Sequence, residues 1–362
     1  MTPAQILESL VSIPSPSGFE GAIADSITSL LQEHGIAVQR SMNNIWFEVG
    51  SGGPRLLMNS HLDTVPPCAG WETDPYHPDW QDERLYGLGS NDAKGSVTAM
   101  ICAALRLAES EPRNGTVVFA FTAEEETGGQ GISTILKDLG PIDAAVVGEP
   151  TSLQACGAQR GMLILKCIAH GRSAHVAHSG IADNAIHKAA REISKLAAMS
   201  FPGHPLLGAA KAQVTQLTGG LTRNQVPDSC EFYVDLRTTP NLDHEVLASD
   251  LASQLESEVI VHSARYLPKA TDAAQPILQA ALMANGNKGP VGSHTTSDWA
   301  FLGDIPTVKI GPGDTHRSHQ PNEYITRPEL EAGVECYSSL IQNYFQEAAK
   351  ALPGSTEACH AS

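Results

Sequence analysis

The first 150 residues of the chain alternate between apolar runs and segments with helical periodicity. The runs RLLMNSH, TVVFAFT and DAAVVGE each end in a polar residue, and the helical segment KGSVTAMICAALRLAES lies between the first two. Strands that alternate with helices predict a parallel or mixed sheet with helices on both faces. In such folds the site lies at the carboxyl ends of the strands, which is where His61, Glu125 and Glu149 occur.

The pattern changes at about residue 160. MLILKCIAHG, AKAQVTQLTGG, SCEFYVDLRTT and EVIVHSARY are predicted strands, and DNAIHKAAREISKLAAM and DHEVLASDLASQLES are predicted helices. Their order, β-α-β-β-α-β, matches the ferredoxin-like split unit. The α/β pattern then resumes with DAAQPILQAALMANG, IPTVKIGPG and a long helix from Arg327. The sequence therefore predicts an α/β mixed-sheet domain, residues 1–159 and 269–362, that is interrupted by an inserted domain, residues 160–268.

Both ends of the chain carry further predictions. The segment MTPAQILESL predicts a helix with Thr2 as its N-cap and Pro3 in its first turn, and it does not have the pattern of a signal peptide. The tail GSTEACHAS is predicted to be disordered.

Composition narrows the possible partners. The chain has 362 residues, enough for two domains, and its 41% hydrophobic and 17% charged residues are typical of a soluble globular protein. A net charge of −17 opposes binding to nucleic acid or to an anionic membrane surface. No uninterrupted apolar run reaches the roughly 18 residues of a membrane span. We therefore expect a cytoplasmic protein with a small-molecule partner.

Cysteine usage excludes two further classes of protein. The seven cysteines are odd in number and irregularly spaced, and no C-x-x-C occurs. This pattern favours free thiols in a reducing compartment over a disulfide framework or a cysteine zinc site. Any metal ion must therefore be held by His, Asp and Glu side chains.

The stretch NSHLDTVPP places His61 and Asp63 two residues apart at a strand end. Strand side chains alternate, so both point to the same face, where a carboxylate can orient an imidazole on a metal ion. The alternative is a polar strand end that faces solvent. Asp92, in GLGSNDAKGS, lies in a glycine-rich turn before a helix, and its alternative role is that of an N-cap.

Three more stretches with glutamate or histidine residues follow predicted strands or lie in a predicted loop. AFTAEEETGGQG has three consecutive glutamates, VVGEPT has Glu149, and GPGDTHRSHQPNEYI has His316 and His319. A run of charges is usually a solvated face, but carboxylates crowded at a strand end repel one another unless a cation compensates. Oxygen ligands with a few imidazoles suit divalent zinc, manganese or cobalt. A shared carboxylate, with one His and one carboxylate on each side, would give a two-metal site with ions about 3.5–4 Å apart.

With these motifs the sequence resembles the acetylornithine deacetylase / succinyl-diaminopimelate desuccinylase family. These are dinuclear zinc amidohydrolases related to aminoacylases and glutamate carboxypeptidases. The resemblance runs from IPSPSGFE to SHQPNEYI, with several motifs in the same order. It implies a zinc-exopeptidase-like catalytic domain, an inserted lid or dimerisation domain, and two divalent metal ions, zinc or alternatively cobalt.

The resemblance assigns the metal ligands position by position. They are His61, Asp92, Glu126, Glu149 and His319. Asp92 corresponds to the bridging carboxylate. Glu149 corresponds to the terminal ligand beside His61, and His319 to the ligand beside Glu126.

The resemblance also assigns the groups that act on these ligands and on the substrate. Asp63 corresponds to the residue that orients the metal-bound histidine. The family has an acidic pair followed five residues later by glycine, so Gly131 selects Glu125 as general base and Glu126 as ligand. Where Glu124 stands the family usually has Asp, which is a departure from the pattern.

The inserted domain supplies the remaining predicted contacts. His175, in GRSAHVAH, corresponds to a histidine that stabilises the oxyanion, with His170 and His178 as alternatives. Arg237, in DLRTT, corresponds to an arginine that binds the substrate carboxylate, and its alternative is an exposed strand arginine. Asn224, in TRNQVP, lies in a loop that resembles the substrate-binding turn. His316 matches no family ligand.

The motifs GWxxDP and YGLGSNDA are most similar to those of acetylornithine deacetylases. We therefore expect hydrolysis of N-acetylornithine in arginine biosynthesis. Succinyl-ornithine and carrier-protein-linked lysine or ornithine remain alternatives. A succinyl group needs a further cation, for which Lys309, Arg160 and Arg223 are the candidates. The absence of G-x-S-x-G disfavours a serine hydrolase.

Two other classes of protein stay open. A dinuclear aminopeptidase would need a pocket for a free α-amine, and a non-catalytic binding protein would lack a ligand or the base. The resemblance further implies a homodimer formed through the inserted domain, with His175 completing the site of the neighbouring subunit.

Overall fold

The computed structural model describes residues 1–110, 114–128 and 131–351. The tail GSTEACHAS lies outside the described residues. The chain divides into two compact units. The first comprises Met1–Gly157, Thr271–Val291 and Ser297–Ser362, and the second comprises Ala158–Ala270 and Gly292–Thr296. No sequence pattern had indicated that the short segment Gly292–Thr296 groups with the second unit.

The bounds of the regular elements are as follows. The α-helices are α1 (Pro3–Val11), α2 (Gly21–Glu33), α3 (Lys94–Ala108), α4 (Ile132–Ile135), α5 (Ala185–Ala198), α6 (His244–Gln254), α7 (Pro276–Ala284) and α8 (Arg327–Ala351). The strands are β1 (Gln39–Ser41), β2 (Asn44–His61), β3 (Asp79–Gln81), β4 (Arg84–Tyr86), β5 (Asn114–Thr122), β6 (Ala144–Val147), β7 (Cys156–Gln159), β8 (Gly161–His170), β9 (Ala174–His175), β10 (Gly203–His204), β11 (Gly208–Ala209), β12 (Lys211–Gly219), β13 (Gln225–Val226), β14 (Ser229–Thr238), β15 (Glu258–Tyr266), β16 (Lys269–Ala270), β17 (Val291–Ser293), β18 (Thr307–Lys309) and β19 (Tyr324–Thr326).

The first unit is built on a mixed sheet. β5 pairs with β2, β2 with β6, and β6 with β18, and all three pairs are parallel. β1 runs antiparallel to the first part of β2. This arrangement confirms the predicted mixed-sheet α/β class. Among the described residues, no helix is long and apolar enough to cross a lipid bilayer.

Apolar side chains cover both faces of this sheet. Phe47, Met58 and Phe119 belong to one buried cluster, whereas Leu57 and Val118 belong to another. Because successive strand residues point to opposite faces, strands buried on both sides read as continuous apolar runs. The rings of Phe47 and Phe119 stack with centroids 5.1 Å apart. The helices that carry the rest of the larger cluster include α1, α2, α3, α7 and α8.

The first helix begins where the sequence predicts. The Thr2 side chain accepts a hydrogen bond from the backbone N–H of Gln5, and the Gln5 side chain accepts one from the backbone N–H of Thr2. This capping box satisfies donors that the first turn leaves without helical partners.

The second unit has its own sheet and its own core. Its four strands lie in the order β12-β14-β8-β15, and every neighbouring pair is antiparallel. Leu163, Leu165 and Cys167 alternate with less buried residues along β8 and pack with residues of α5 and α6. With two helices on one face and the element order β-α-β-β-α-β, this sheet has the architecture of the predicted split unit.

Candidate metal centre

The parallel strands bring polar side chains together at their carboxyl ends. His61 is the last residue of β2 and is in register with Thr122, the last residue of β5. Glu149 follows two residues after the end of β6. We call His61, Asp63, Asp92, Glu125, Glu126, Glu149 and His319 the candidate centre, and all of them belong to the first unit.

His61 is buried, with 2% of its surface exposed, and both ring nitrogens face carboxylates. Nδ1 lies 3.0 Å from the backbone oxygen of Asp63 and 3.4 Å from its Oδ1. Nε2 lies 3.2 Å from Asp92 Oδ1 and 3.9 Å from Glu149 Oε1. Burial lowers the pKa of His61, but the hydrogen bonds to Asp63 and Asp92 outweigh it, so the pKa lies well above its ordinary value. The Nε2 atom therefore faces a strongly negative environment.

Asp63 is fully buried and accepts hydrogen bonds on both oxygens. Oδ1 accepts from the backbone N–H of Glu125 at 3.0 Å, and Oδ2 accepts from the backbone N–H of Glu126 at 3.0 Å. The Ser17 hydroxyl also donates to Oδ2, at 2.7 Å. Burial raises the pKa of Asp63, but His61, the Ser17 hydroxyl and the backbone N–H of Glu126 together lower it, so the pKa lies below its ordinary value. Asp63 thus connects the histidine to the turn that carries the glutamates.

Glu126 lies beside His319, whereas Glu125 and Glu149 cluster with His61. His319 Nε2 is 2.9 Å from Glu126 Oε1 and 3.9 Å from Asp92 Oδ2. Burial raises the pKa of Glu125 well above its ordinary value, and the charge of Glu149 adds to this effect. Burial also raises the pKa of Glu149 to about 7, although Lys309 opposes it. Carboxylates crowded in this way favour a bound cation.

Two sets of side chains have the spacing of metal ligands. One set is His61, Asp92 and Glu126, and the other is His61, Glu125 and Glu149. Within each set, one ligand atom per residue lies within 4.8 Å of the others. Carboxylate oxygens with imidazole nitrogens form a donor set that suits hard or borderline divalent ions. The residues present therefore fit the metal ions that the sequence predicts.

A buried glutamate that the sequence analysis missed holds the loop of Asp92. Glu323 accepts hydrogen bonds from the backbone N–H groups of Gly89, Asn91 and Asp92 at 3.0, 2.9 and 2.8 Å. Burial raises the pKa of Glu323 to about 8, and these three donors oppose that effect. Its only sequence signal was an acidic residue four positions after His319, in SHQPNEYI.

Two further buried charged groups near the candidate centre were also missed. Asp298 accepts a hydrogen bond from the Thr122 hydroxyl at 2.7 Å, and burial raises the pKa of Asp298 to about 6. The Lys94 ammonium donates to the backbone oxygens of Leu10 and Ile13 at 3.0 and 2.9 Å. Burial lowers the pKa of Lys94 to about 7. A lysine directly after an acidic turn carries no sequence signal that distinguishes it from a solvated residue.

The predicted oxyanion and substrate contacts His175, Asn224 and Arg237 belong to the second unit. His175 is exposed, and its Nδ1 accepts from the backbone N–H of Ala177 at 3.2 Å. It pairs in register with Gln225, the residue that follows Asn224. Arg237 donates from Nε and Nη2 to the two carboxylate oxygens of Asp235 at 2.9 and 3.1 Å. His316 is exposed in the short 3₁₀ helix Thr315–Arg317, and its Nδ1 lies 2.8 Å from Asp314 Oδ1.

The three cations considered for a succinyl group differ in their surroundings. Lys309 is buried, and its charge acts on Glu149. Arg160 is buried and donates to His294 Nδ1 at 3.0 Å, and to three backbone oxygens. Arg223 is exposed.

Histidine and carboxylate side chains gathered beside the strand ends of a mixed α/β sheet form a candidate site for a metal-dependent hydrolase. Residues 57–343 match the model of peptidase family M20/M25/M40, and the chain belongs to this family. The proteins that the chain resembles include a desuccinylase in sequence and peptidases in fold.

The relatives match the chain over nearly its whole length. A succinyl-diaminopimelate desuccinylase from Xanthomonas campestris is 29% identical over 359 residues, covering 91% of this chain and 94% of the relative. A tripeptidase from Staphylococcus aureus has a similar fold, with a TM-score of 0.78, 21% identity, and coverage of 95% of this chain and 98% of that one. A dinuclear metal-binding peptidase of the M20 family from Bacillus subtilis has a TM-score of 0.74, 17% identity, and coverage of 95% and 98%.

Proposed function

We propose that the protein hydrolyses the amide bond of an N-acylated amino acid with two bound divalent metal ions. The observation that carries the proposal is the clustering of His61, Asp92, Glu126 and Glu149 at metal-ligand spacing, with His319 Nε2 2.9 Å from Glu126 Oε1. Membership of the M20/M25/M40 family supports hydrolysis of an amide bond. Because the sequence has the expected residue type at every assigned ligand position and at the base position, a non-catalytic binding protein is disfavoured.

The candidate centre has enough histidine and carboxylate side chains to hold two ions. In the proposal, His61 and Glu149 would hold one ion, Glu126 and His319 would hold the other, and Asp92 would be shared between them. Zinc is proposed, with cobalt as the alternative, because the donors are oxygen and imidazole nitrogen. When bound, the ions would polarise the substrate carbonyl and lower the pKa of a water molecule.

Glu125 is proposed as the general base. It lies in the ligand set with His61 and Glu149, and its buried carboxyl has a raised pKa, which suits a group that accepts and then donates a proton. It would take the proton from the attacking water and pass it to the leaving amine. Asp63 would keep His61 oriented, because it contacts the Nδ1 side of the ring while Nε2 faces the other ligands.

The proposed substrate is N-acetylornithine, with His175 stabilising the oxyanion and Arg237 and Asn224 contacting the substrate. An acetyl group needs no additional cation. Of the candidates for a succinyl carboxylate, Arg160 already donates to His294 and to three backbone oxygens. Lys309 is buried close enough to Glu149 to affect its pKa. These contacts support acetyl over succinyl.

A desuccinylase is the second candidate function. It is favoured by the relatives, since those from Xanthomonas campestris and Shewanella pealeana are both succinyl-diaminopimelate desuccinylases. In that case the exposed Arg223 would be the cation for the second carboxylate.

A substrate panel tests the proposal. The chelated protein, reloaded with zinc or cobalt, would be assayed on N-acetyl and N-succinyl derivatives of ornithine, lysine, citrulline and diaminopimelate, and on leucine amide. We expect activity only after metal addition, with the highest kcat/KM for N-acetylornithine. A kcat/KM at least about tenfold higher for a succinyl compound, about 1.4 kcal/mol in transition-state binding, would establish the second candidate. Activity on leucine amide alone would indicate an aminopeptidase.

A further inference from the structure

We propose that Glu323 is a positioning residue that holds Asp92 in the orientation of a metal ligand, through three backbone hydrogen bonds. This inference rests on the proposed function, since it assumes that Asp92 binds metal. Glu323 itself contacts backbone groups and would bind neither substrate nor metal.

Strand pairing fixes the backbone of Glu323. The residue directly precedes β19, in which Tyr324 pairs antiparallel with Tyr86 of β4. The backbone oxygen of Glu323 accepts from the backbone N–H of Gly87 at 3.0 Å. The ladder therefore places the Glu323 side chain beside the loop that follows β4, and the residue is 2% exposed.

The Glu323 carboxylate accepts hydrogen bonds from backbone N–H groups that lie outside any helix or strand. The loop from Gly89 to Asp92 is irregular, and its buried backbone N–H groups need acceptors. Oε1 accepts from Asn91 and Asp92, and Oε2 accepts from Gly89. One side chain therefore fixes the backbone on both sides of Ser90.

The position of this backbone determines where the Asp92 carboxylate lies. With its own N–H held at 2.8 Å, Asp92 directs Oδ1 to within 3.2 Å of His61 Nε2. The same short segment supplies His319, four residues before Glu323. Glu323 thus couples the loop of the proposed bridging ligand to the segment of a terminal ligand, as residues that orient metal ligands do in other proteins.

The test compares two isosteric substitutions. Glu323→Gln preserves shape but replaces one acceptor oxygen with an NH₂ group that faces an N–H donor. Glu192→Gln is the matched control, because Glu192 is also buried and accepts from the backbone N–H of Ser257, at 2.9 Å, and of Glu256, but belongs to the second unit. Titration of the metal-free proteins with Co²⁺, followed by calorimetry and visible absorption, should show affinity weakened about tenfold to a hundredfold for Glu323→Gln. Glu192→Gln should bind Co²⁺ as the unsubstituted protein does.

A double-mutant cycle identifies the route of the effect. If Glu323 acts through Asp92, Glu323→Gln should weaken Co²⁺ binding little further in an Asp92→Ala background. Unchanged affinity for Glu323→Gln, or full additivity with Asp92→Ala, would overturn the inference. If Glu323→Gln does not fold, Glu323→Asp takes its place, because the shorter carboxylate cannot reach all three donors. Failure of the unsubstituted protein to bind Co²⁺ would instead refute the proposed function.

Discussion

Asp63 links the imidazole of His61 to the backbone of two consecutive glutamates. Its oxygens accept from the N–H groups of Glu125 and Glu126, and Oδ1 also lies 3.4 Å from His61 Nδ1. The buried carboxylate of Asp63 therefore contacts the proposed base, Glu125, and two proposed ligands, Glu126 and His61. Ser17 adds a donor to the same carboxylate, which helps to keep it ionised.

The two glutamates should respond differently to removal. Glu125→Ala should retain about two bound metal ions yet lose about 10²–10⁴-fold in kcat, because only proton transfer is removed. Glu126→Ala should lose affinity for one ion, since Glu126 is the carboxylate beside His319. Metal content measured by atomic absorption, together with kcat, checks both expectations. A loss of metal from Glu125→Ala, but not from Glu126→Ala, would show that their roles are exchanged.

At the scale of single residues, the sequence predicts the proposed metal ligands better than the residues that hold those ligands in position. His61 and Glu149 could be recognised because each follows an apolar strand, where a core would not place a polar group. Glu323 and Asp298 could not, because their roles depend on backbone N–H and hydroxyl donors from distant segments. Loop residues that meet only through the tertiary fold leave no periodic pattern.

At the scale of elements, strand ends determine the site. The apolar runs RLLMNSH, at the end of β2, and TVVFAFT, in β5, were predictable because both faces of the sheet are buried there, whereas the first half of β2 was not predicted. The three-residue strands β3, β4 and β19 were not, since elements this short have no measurable periodicity. They nevertheless matter, because the pairing of β19 with β4 places Glu323 against the Asp92 loop.

Helix α5 depends on one buried carboxylate for its connection to the start of β15. Glu192 accepts from the backbone N–H groups of Glu256 and Ser257 and from the Ser257 hydroxyl. Glu192→Ala should destabilise the second unit by about 1–3 kcal/mol, because buried donors lose their acceptor. The free energy of unfolding from urea titration, monitored by hydrogen exchange within the second unit, checks this. Glu258→Ala, which removes an exposed partner of His170, should change the free energy of unfolding by less than about 0.5 kcal/mol. Equal effects of the two substitutions would contradict the role of Glu192.

At the scale of the whole molecule, the second unit offers surfaces for self-association. Its sheet ends in the edge strands β12 and β15, and Leu217 on β12 is 54% exposed. Exposed edge strands are sites of pairing between chains, and most soluble oligomers are symmetric. We therefore expect a homodimer through this unit, which sedimentation equilibrium would detect as twice the monomer mass of 38.3 kDa.

In such a dimer we expect His175 to act in the site of the neighbouring subunit. His175 is exposed in the second unit, whereas the candidate centre belongs to the first. Glu125→Ala and His175→Ala chains should each be inactive alone. In a mixed dimer, the intact Glu125 of one chain would meet the intact His175 of the other, so activity should return to as much as half the wild-type value at one of the two sites. A spectroscopic subunit-exchange assay would establish how much mixed dimer forms.

The reciprocal mixture separates action across the interface from action within one chain. A chain that carries both substitutions is mixed with the unsubstituted chain. In the mixed dimer, the chain with the intact Glu125 is paired with a chain that lacks His175. If His175 acts across the interface, this mixed dimer should be inactive, because neither site combines both groups. If His175 acts within its own chain, the same dimer should keep half of the activity, and the first mixture should have none. Activity measured on both mixtures after confirmed exchange therefore gives opposite results for the two arrangements, and a monomer in solution would rule out action across an interface altogether.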